Sequence, residues 1–255
     1  GATTRTETTT SVYDADNRLV QQTDPTGAIT RTTYNSAGKP VTQTDALGRI
    51  TKHSYDANAR PTRTEHPDGT AESTEYDANG NETARSDRQG RTTRMTYDEL
   101  DRLVATTHPD GTSTRTEYDS AGRVLATIDA ANQRTTNEYD AAGRMTAMTD
   151  ASGRRTEYTY DANGNRTKVT LAAGTAQARS TTTTYDALNR ATRIEQPDGS
   201  AHSIVFRADG RKASETDARG VTSSYGYDAT GRLVSVTQSG VATATTYAWD
   251  QTGAK

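Results

Sequence analysis

The sequence contains no cysteine, and phenylalanine and tryptophan occur only once each among its 255 residues. Without cysteine the chain holds no disulfide, no thiolate metal site and no thiol nucleophile. Leu, Ile, Val and Phe together number 25, about 10% of the chain, whereas ordinary globular domains carry more than about 20%. This scarcity excludes a large apolar core and a helical bundle. The apolar runs are also too short for a transmembrane helix or a signal-peptide core.

The sequence also has little net charge. The 30 basic and 33 acidic residues leave a net charge of -3, and their interleaving argues against a nucleic-acid-binding surface. Disorder caused by low hydrophobicity also requires a high net charge. Threonine is the commonest residue type, with 50 copies, and it favours strands. The composition therefore predicts an ordered, strand-rich protein with no nucleic-acid partner and no membrane insertion.

What the sequence does have is an internal repeat. An aromatic residue, usually followed by Asp, recurs every 21 residues, except for one step of 25 and a last step of 22. Such a period is typical of proteins in which each repeat packs against its neighbours. The twelve aromatic positions, which we call the anchors, are Tyr13, Tyr34, Tyr55, Tyr76, Tyr97, Tyr118, Tyr139, Tyr160, Tyr185, Phe206, Tyr227 and Trp249.

Two turn signals divide each repeat into short segments. The first follows the anchor and reads Asp-x-x-Gly-Arg, and the second, about ten residues later, reads Asp or His-x-x-Gly, as in His66-Pro67-Asp68-Gly69. Pro-Asp-Gly suits a type I hairpin turn closed by a glycine with positive φ. The segments between the turns, six or seven residues long, have the usual length of strands.

These signals predict an all-β fold of tandem β-hairpin repeats, which form one continuous antiparallel sheet. We expect a single array over residues 1–255, with about twelve 21-residue repeats, roughly 22 to 24 strands and a longer loop at residues 171–180. A twisted sheet of more than about ten strands has to curl or split. The expected strip is therefore curled or spiralling.

The aromatic residues are predicted to line one face of this sheet. All 15 of them lie at an anchor or two positions before one, and residues two apart on a strand share a face. We expect the rings of successive repeats to stack as a ladder, so that each repeat buries its ring against its neighbours. The alternate strand positions carry charged residues and form the other face.

This pattern resembles the YD-repeat family, also called Rhs repeats, of bacterial Rhs polymorphic toxins, Tc toxin C components and teneurins. Its signature, Tyr-Asp-x-x-Gly-Arg, is nearly intact at residues 118–123, 139–144 and 227–232, and it drifts at Asn35, Asn81, Asn165 and Arg207. The resemblance implies a β-sheet strip that spirals into a hollow shell, which in the toxins encloses a cytotoxic C-terminal domain. It also implies a bacterial protein that is secreted or lies at the cell surface.

The same resemblance names the expected partners and the expected role. Further YD repeats of the same parent chain and an encapsulated toxin domain are the partners that it implies. The chain begins with GATTR, ends with QTGAK inside a turn, and shows no self-cleavage motif of such shells after Trp249. We therefore expect a fragment of a much larger protein, namely a non-enzymatic wall segment.

The regularly spaced aspartates raise the question of calcium. Calcium-binding repeats cluster several oxygen ligands within a few residues, whereas each turn here carries one leading Asp, which normally caps its own backbone. We interpret these residues as structural, with an exposed Asp–Arg pair across each turn. The turn residues singled out in this way are Asp119, Gly122, Arg123, Asp140, Gly143 and Arg144.

The four histidines give no sign of a reactive or metal-binding site. His66 and His108 open second turns, His53 and His202 lie on predicted strands, and no two have a spacing such as His-x-x-x-His, which metal ligands on one helix face require. The sequence therefore predicts no catalytic residue, no metal ligand and no cofactor.

The aromatic face leaves other functions open. Exposed rings stack on sugars, so cell-surface adhesion through glycan or protein binding is the alternative to a packed seam of rings. An extracellular fibre is a further alternative, because open sheet edges permit it. The solvent exposure of the anchor rings distinguishes a packed seam of rings from a glycan-binding surface, because widely exposed rings favour glycan binding. The loop at residues 171–180 is an additional candidate for contact with a partner.

Overall fold

The structure is a computed structural model of the chain, and it describes residues 8–249. These residues form 23 strands and no helix. The first strands are β1 (Thr10–Tyr13), β2 (Leu19–Thr23), β3 (Ile29–Tyr34), β4 (Pro40–Thr44), β5 (Ile50–Tyr55), β6 (Pro61–Glu65), β7 (Ala71–Tyr76), β8 (Glu82–Ser86), β9 (Thr92–Tyr97), β10 (Leu103–Thr107), β11 (Ser113–Tyr118) and β12 (Val124–Ile128). The others are β13 (Arg134–Tyr139), β14 (Met145–Thr149), β15 (Arg155–Tyr160), β16 (Arg166–Leu171), β17 (Arg179–Tyr185), β18 (Ala191–Glu195), β19 (Ala201–Phe206), β20 (Lys212–Thr216), β21 (Thr222–Tyr227), β22 (Leu233–Gln238) and β23 (Thr245–Thr246).

The described residues belong to two compact units, one of residues 8–117 and 127–133 and the other of residues 118–126 and 134–249. In the first unit, each strand from β1 to β10 pairs antiparallel with the next strand in sequence. In the second unit, the strands from β13 to β23 do the same. The short turns favour this order because they return the chain directly beside the strand that it has left. The predicted all-β fold of antiparallel hairpins is confirmed.

A β-bulge recurs beside ten of the twelve anchors, and the sequence prediction did not include it. The odd-numbered strands from β1 to β21 end at an anchor. Thr33 pairs with Thr42 and Tyr34 pairs with Pro40, so Val41 has no partner. Such an extra residue increases the local twist of a strand pair. The residues without a partner are Val20, Val41, Thr62, Thr83, Val104, Thr146, Thr167, Thr192, Ala213 and Val234.

Strand register places the anchors of one unit on a common face. Thr32 pairs with Gln43, and Gln43 pairs with Thr51, so these three side chains share a face. Thr32 precedes Tyr34 by two residues, and Thr51 precedes Tyr55 by four. Because both offsets are even, the two tyrosines lie on the same face as well.

The longer repeat forms a loop that is shorter than predicted. We expected it at residues 171–180, but Leu171 pairs with Arg179 and Thr170 pairs with Ser180, so the loop comprises residues 172–178. Beside this backbone ladder, Thr170 Oγ1 and Ser180 Oγ form a side-chain hydrogen bond at 3.0 Å. Ala173 inside the loop is buried, and its N–H donates to the carbonyl oxygen of Arg155.

Few side chains in either unit are fully buried. Among the described residues, those with less than a tenth of their surface exposed are Ala84, Ala126, Ala147 and Ala173. The anchors from Tyr34 to Trp249 are half-buried, whereas Tyr13 in the first described repeat is 55% exposed. The scarcity of aliphatic residues therefore matches a fold whose contacts lie on the faces of a sheet.

Candidate functional site

The leading aspartate of the first turn is engaged with its own backbone. Asp119 Oδ1 accepts hydrogen bonds from the N–H groups of Ala121 and Arg123, both at 2.9 Å. The N–H of Gly122 donates to the carbonyl oxygen of Asp119 at 3.0 Å, and Gly122 has a φ of 83°. This conformation is open to glycine without steric cost. The turn that begins at Asp140 repeats the arrangement.

The turn arginine forms an ion pair with the same aspartate. Arg123 Nε donates to Asp119 Oδ2 at 2.6 Å, and Arg144 Nε donates to Asp140 Oδ2 at 2.7 Å. The N–H and guanidinium bonds from Arg123 hold the pKa of Asp119 below its usual value, against the opposing effect of desolvation. The prediction of an exposed pair was wrong for this turn, because only 14% of the Asp119 side chain and 33% of that of Arg123 are exposed. Residues of the next repeat also lie beside the Asp119–Arg123 pair.

The arginine guanidinium lies over the ring of the next anchor. The Cζ atom of Arg123 is 4.8 Å from the ring centre of Tyr139, and the distance from Arg144 to Tyr160 is the same. This is the geometry of a cation–π contact. The other pairs are Arg18 with Tyr34 at 5.0 Å, Arg60 with Tyr76 at 4.3 Å, Arg190 with Phe206 at 4.1 Å, Arg211 with Tyr227 at 5.6 Å and Arg232 with Trp249 at 5.8 Å.

The anchor hydroxyl bonds to the backbone of the preceding repeat. Tyr160 OH donates to the carbonyl oxygen of Met145 at 2.8 Å, and Met145 is the residue that pairs with Tyr139. The donor follows the acceptor by 15 residues in regular repeats, by 19 across the longer repeat and by 16 at Trp249, whose indole N–H takes the role of the hydroxyl. The other acceptors are the carbonyls of Leu19, Pro40, Pro61, Glu82, Val124, Arg166 and Leu233.

Together, the anchors with the Asp and Arg of each first turn form what we call the anchor seam. Anchors of successive repeats are two strands apart, about 9.6 Å at the usual strand spacing, and ring pairs interact at about 4.5–7 Å. The predicted direct stacking of ring on ring does not fit this spacing. In the repeats whose first turn carries Arg, a guanidinium lies over the next anchor ring instead, as Arg123 and Arg144 do, each paired with the Asp of its own turn.

The opposite face carries a feature that the sequence prediction missed. Ala147 is only 1% exposed, and it pairs with Glu138 on one side and Glu157 on the other. Arg155 spans this position, because its Nη2 donates to Glu138 at 2.8 Å and its Nε to Glu157 at 2.9 Å. Alanine leaves room for this bridge. The available signal was a column of alanines spaced by 21 residues, at positions 84, 105, 126 and 147.

The repeat geometry corresponds to a known family. The RHS Repeat model matches residues 13–50, 34–71, 76–113, 100–135, 118–154, 139–176 and 208–240, which together make up more than half of the chain. The chain belongs to the RHS repeat family. This confirms the resemblance that the turn signature indicated.

Among solved structures, the RHS segment is similar to parts of Tc toxin assemblies. It matches the crystal structure of TcdB2-TccC3-TEV with 16% identity and a TM-score of 0.46, over 97% of this chain and 18% of that chain. It matches a Photorhabdus luminescens Tc holotoxin pore with a TccC3 mutation at 16% identity and 0.46, over 97% and 17%. For TcdB2-TccC3 without its hypervariable C-terminal region the values are 17%, 0.41, 96% and 19%. The chain thus spans less than a fifth of each. No curated protein sequence matches it.

The remaining candidate residues of the RHS segment lie apart from one another. His66 and His108 open second turns, His53 lies on β5, and His202 lies on β19 with its Nε2 2.6 Å from Glu215 Oε1. Within residues 8–249, no three His, Asp or Glu side chains are placed to hold a metal ion. In the same part of the chain, no helix is long and apolar enough to cross a membrane. Asp250, which follows the last anchor, lies outside the described residues.

Proposed function

We propose that this RHS segment is part of the wall of a larger shell that encloses or presents a C-terminal payload, such as a toxin domain. The parent protein is then bacterial and is secreted or lies at the cell surface, and residues 1–255 belong to a single array of about twelve repeats. The segment has a mechanical role and is not an enzyme. Further repeats of the parent chain and the payload are its partners.

The anchor seam is the observation that supports this role best. The hydroxyl of Tyr160 bonds to the backbone beside Tyr139, and the ring of Tyr160 lies under the guanidinium of Arg144. Each such repeat is therefore attached to the preceding one by side chains as well as by the strand ladder. A wall built in this way resists opening at any single repeat, because opening exposes a ring, an ion pair and a backbone carbonyl together.

Seam geometry also bears on the alternative of glycan binding. A sugar that stacks on an aromatic ring needs one free ring face. At Tyr139 and Tyr160 a guanidinium already lies over the ring, and the hydroxyl is engaged with a carbonyl. The seam thus offers one face of each ring and its hydroxyl to the neighbouring repeat, which leaves at most the other ring face for a sugar.

Limited proteolysis of the full-length parent protein tests the proposal. We expect its C-terminal region to resist protease while the repeats are intact, and to lose this protection in a Tyr139→Ala/Tyr160→Ala double variant. Leu47→Ala is the matched control, because Leu47 lies at a turn tip and is 77% exposed. Equal digestion of the C-terminal region in all three proteins would contradict the proposal. Binding of the 255-residue chain to a glycan array would favour adhesion instead.

A further inference from the structure

Two turn positions in successive repeats vary together along the chain. The first is the fifth residue after an anchor, and the second is the fourth residue after the next anchor. When the first is Arg, the second is Gly, and in the three other cases the second is not Gly. The Arg cases are Arg18/Gly38, Arg60/Gly80, Arg102/Gly122, Arg123/Gly143, Arg144/Gly164, Arg190/Gly210, Arg211/Gly231 and Arg232/Gly253, and the others are Lys39/Ala59, Asn81/Asp101 and Asn165/Asn189.

The first solution, Arg with Gly, brings the guanidinium of the first residue close to the next turn, and the space left for a Cβ atom differs from pair to pair. Arg123 Nη1 donates to the carbonyl oxygen of Asp140 at 3.2 Å, which places the guanidinium against the next turn. A Cβ atom at Gly143 would lie 3.7 Å from this Nη1 atom. The corresponding distance is 3.2 Å between Gly80 and Arg60.

The other Arg/Gly pairs follow the same pattern to different degrees. A Cβ atom would lie 3.7 Å from Arg190 at Gly210 and 3.9 Å from Arg18 at Gly38, and at Gly231 it would overlap the guanidinium of Arg211. Gly164 has more space, with no atom within 4 Å. At Gly80 and Gly231 the guanidinium would have to move to admit a Cβ atom. At Gly38, Gly143 and Gly210 a Cβ atom would be in van der Waals contact with the guanidinium, so the outer atoms of a longer side chain would compete with the arginine for the same space.

In the second solution, Asn takes the place of Arg at the first position, so that a short amide replaces the guanidinium. Asn165 Nδ2 donates to Asp161 Oδ2 of its own turn at 2.9 Å and to Asn189 Oδ1 of the next turn at 2.7 Å. Asn163 Nδ2 adds a bond to the same Asn189 oxygen at 3.1 Å. Asn189 has a φ of 60°, which Asn and Asp tolerate better than most L-residues. A side chain therefore stands where the arginine would otherwise lie.

This amide arrangement occurs a second time, in the other unit of the chain. Asn81 Nδ2 donates to Asp101 Oδ1 at 2.6 Å, Asn79 Nδ2 donates to the same oxygen at 2.8 Å, and Asp101 has a φ of 59°. Both cases combine Asn at the first position with an Asp or Asn at the second. The two solutions thus have different contacts, and Lys39/Ala59 belongs to neither of them.

We propose that these two positions form an exclusive pair that determines which repeats can be neighbours. Arg at the first position selects Gly at the second, and a residue other than Arg at the first position permits a side chain at the second. The pair is a specificity determinant between repeats. It does not depend on whether the parent protein is a shell, an adhesin or a fibre.

A double-mutant cycle in the 255-residue chain tests the pair. The variants are Gly143→Asn, Arg123→Asn and the two combined, which imitates Asn165/Asn189. The readout is hydrogen exchange of the backbone amides of Asp140 and Gly143, which bond within the turn. Exchange reports opening at these two amides, which an unfolding midpoint of a long repeat array does not resolve. We expect Gly143→Asn to speed exchange at least about tenfold when Arg123 is present and less than about threefold in the Arg123→Asn background.

Gly153→Asn is the matched control for backbone strain. Gly153 closes a second turn with a φ of 78°, and a Cβ atom there would meet nothing within 4 Å. Its exchange effect therefore measures the conformational penalty of the asparagine side chain alone. We expect this effect to be the same in the wild-type chain and in the Arg123→Asn background.

The reciprocal substitutions, at Asn165 and Asn189, keep the test decisive if Gly143→Asn fails to fold. Asn165→Arg alone should speed exchange around Asn189, and the added change Asn189→Gly should restore protection. If Gly143→Asn has the same effect in both backgrounds, or if Asn189→Gly fails to rescue Asn165→Arg, the two positions are independent and the proposal is wrong.

Discussion

The hydroxyl of Tyr160 donates a hydrogen bond to the carbonyl oxygen of Met145, the residue that lies opposite Tyr139 in the sheet. One bond thus connects an anchor to the strand that faces the preceding anchor. The guanidinium of Arg144, 4.8 Å from the Tyr160 ring centre, spans the same interval. Stability in such an array comes from contacts between neighbouring repeats, as nearest-neighbour models of repeat proteins describe.

We expect Tyr160→Phe to lower the free energy of unfolding by about 0.5–1.5 kcal/mol, the usual net contribution of a hydrogen bond. The ring and its cation–π contact remain, so only the bond to Met145 is lost. Chemical denaturation, or hydrogen exchange of β14 and β15, measures the change.

Tyr158→Phe is the control for this change. Tyr158 lies two residues earlier on the same strand and face, and its hydroxyl has no hydrogen-bond partner among the described residues. Its variant should therefore remain close to wild type. If both variants lose the same stability, the bond to Met145 is not what the hydroxyl of Tyr160 contributes.

The opposite change is available at Phe206, the one anchor without a polar group on its ring. Phe206→Tyr is expected to stabilise the chain by about 0.5–1 kcal/mol. The residue 15 positions earlier, Ala191, begins β18 as Met145 begins β14, so its carbonyl is placed to accept the new bond. Arg190 already lies 4.1 Å from the ring centre. A neutral or destabilising result in denaturation would show that the site cannot accommodate the hydroxyl.

The period of 21 residues was sufficient to predict the hairpins and the strands. A repeated turn signature determines where each strand ends, and the even spacing of the aromatic residues determines which face they share. The roles of the anchors and of the turn residues from Asp119 to Arg144 remain predictions that mutagenesis has to test. A column of mostly Val and Thr, seven residues after the anchors, marks the position of the bulge in the sequence.

The side-chain partners were harder to predict. Arg123 lies over Tyr139, 16 residues later, because the intervening strands and the bulge bring the two side chains together. A register shift of one residue would place one of them on the other face. The sequence revealed the local Asp119–Arg123 pair, since its two members belong to one turn, but not the ring that the same arginine covers.

On the opposite face, Ala147→Leu is expected to destabilise the chain by about 1–3 kcal/mol, as overpacking usually does. Ala147 lies beneath the bridge from Arg155 to Glu138 and Glu157, so a larger side chain has to displace it. Ala105→Leu is the matched control, because Ala105 occupies the same column and is only half-buried. Equal effects of the two substitutions on the unfolding midpoint would indicate that the bridge is not the constraint.

The first-turn aspartates predict a loss of stability in acid. Asp119 and Asp140 accept N–H bonds from their own turns and pair with Arg123 and Arg144, and these contacts lower the pKa of both carboxyls. A carboxyl with a lowered pKa in the folded state stabilises the fold fully above its unfolded pKa of about 3.9. The contribution is lost as the pH falls below that value toward the folded pKa. Unfolding midpoints should therefore decline below about pH 4.

The variant Asp140→Asn measures how much a single first turn contributes to this loss of stability in acid. Asn35, which leads a first turn naturally, still accepts the N–H bonds of Ala37 and Lys39 at 3.0 and 2.9 Å, so an amide preserves the backbone of the turn. We expect Asp140→Asn to lower stability at about pH 7, because the charge opposite Arg144 is lost, and to reduce the decline between about pH 4 and pH 2. Urea denaturation of both proteins across this range measures the difference. An unchanged decline in the variant would mean that the Asp140 carboxylate does not contribute to acid unfolding.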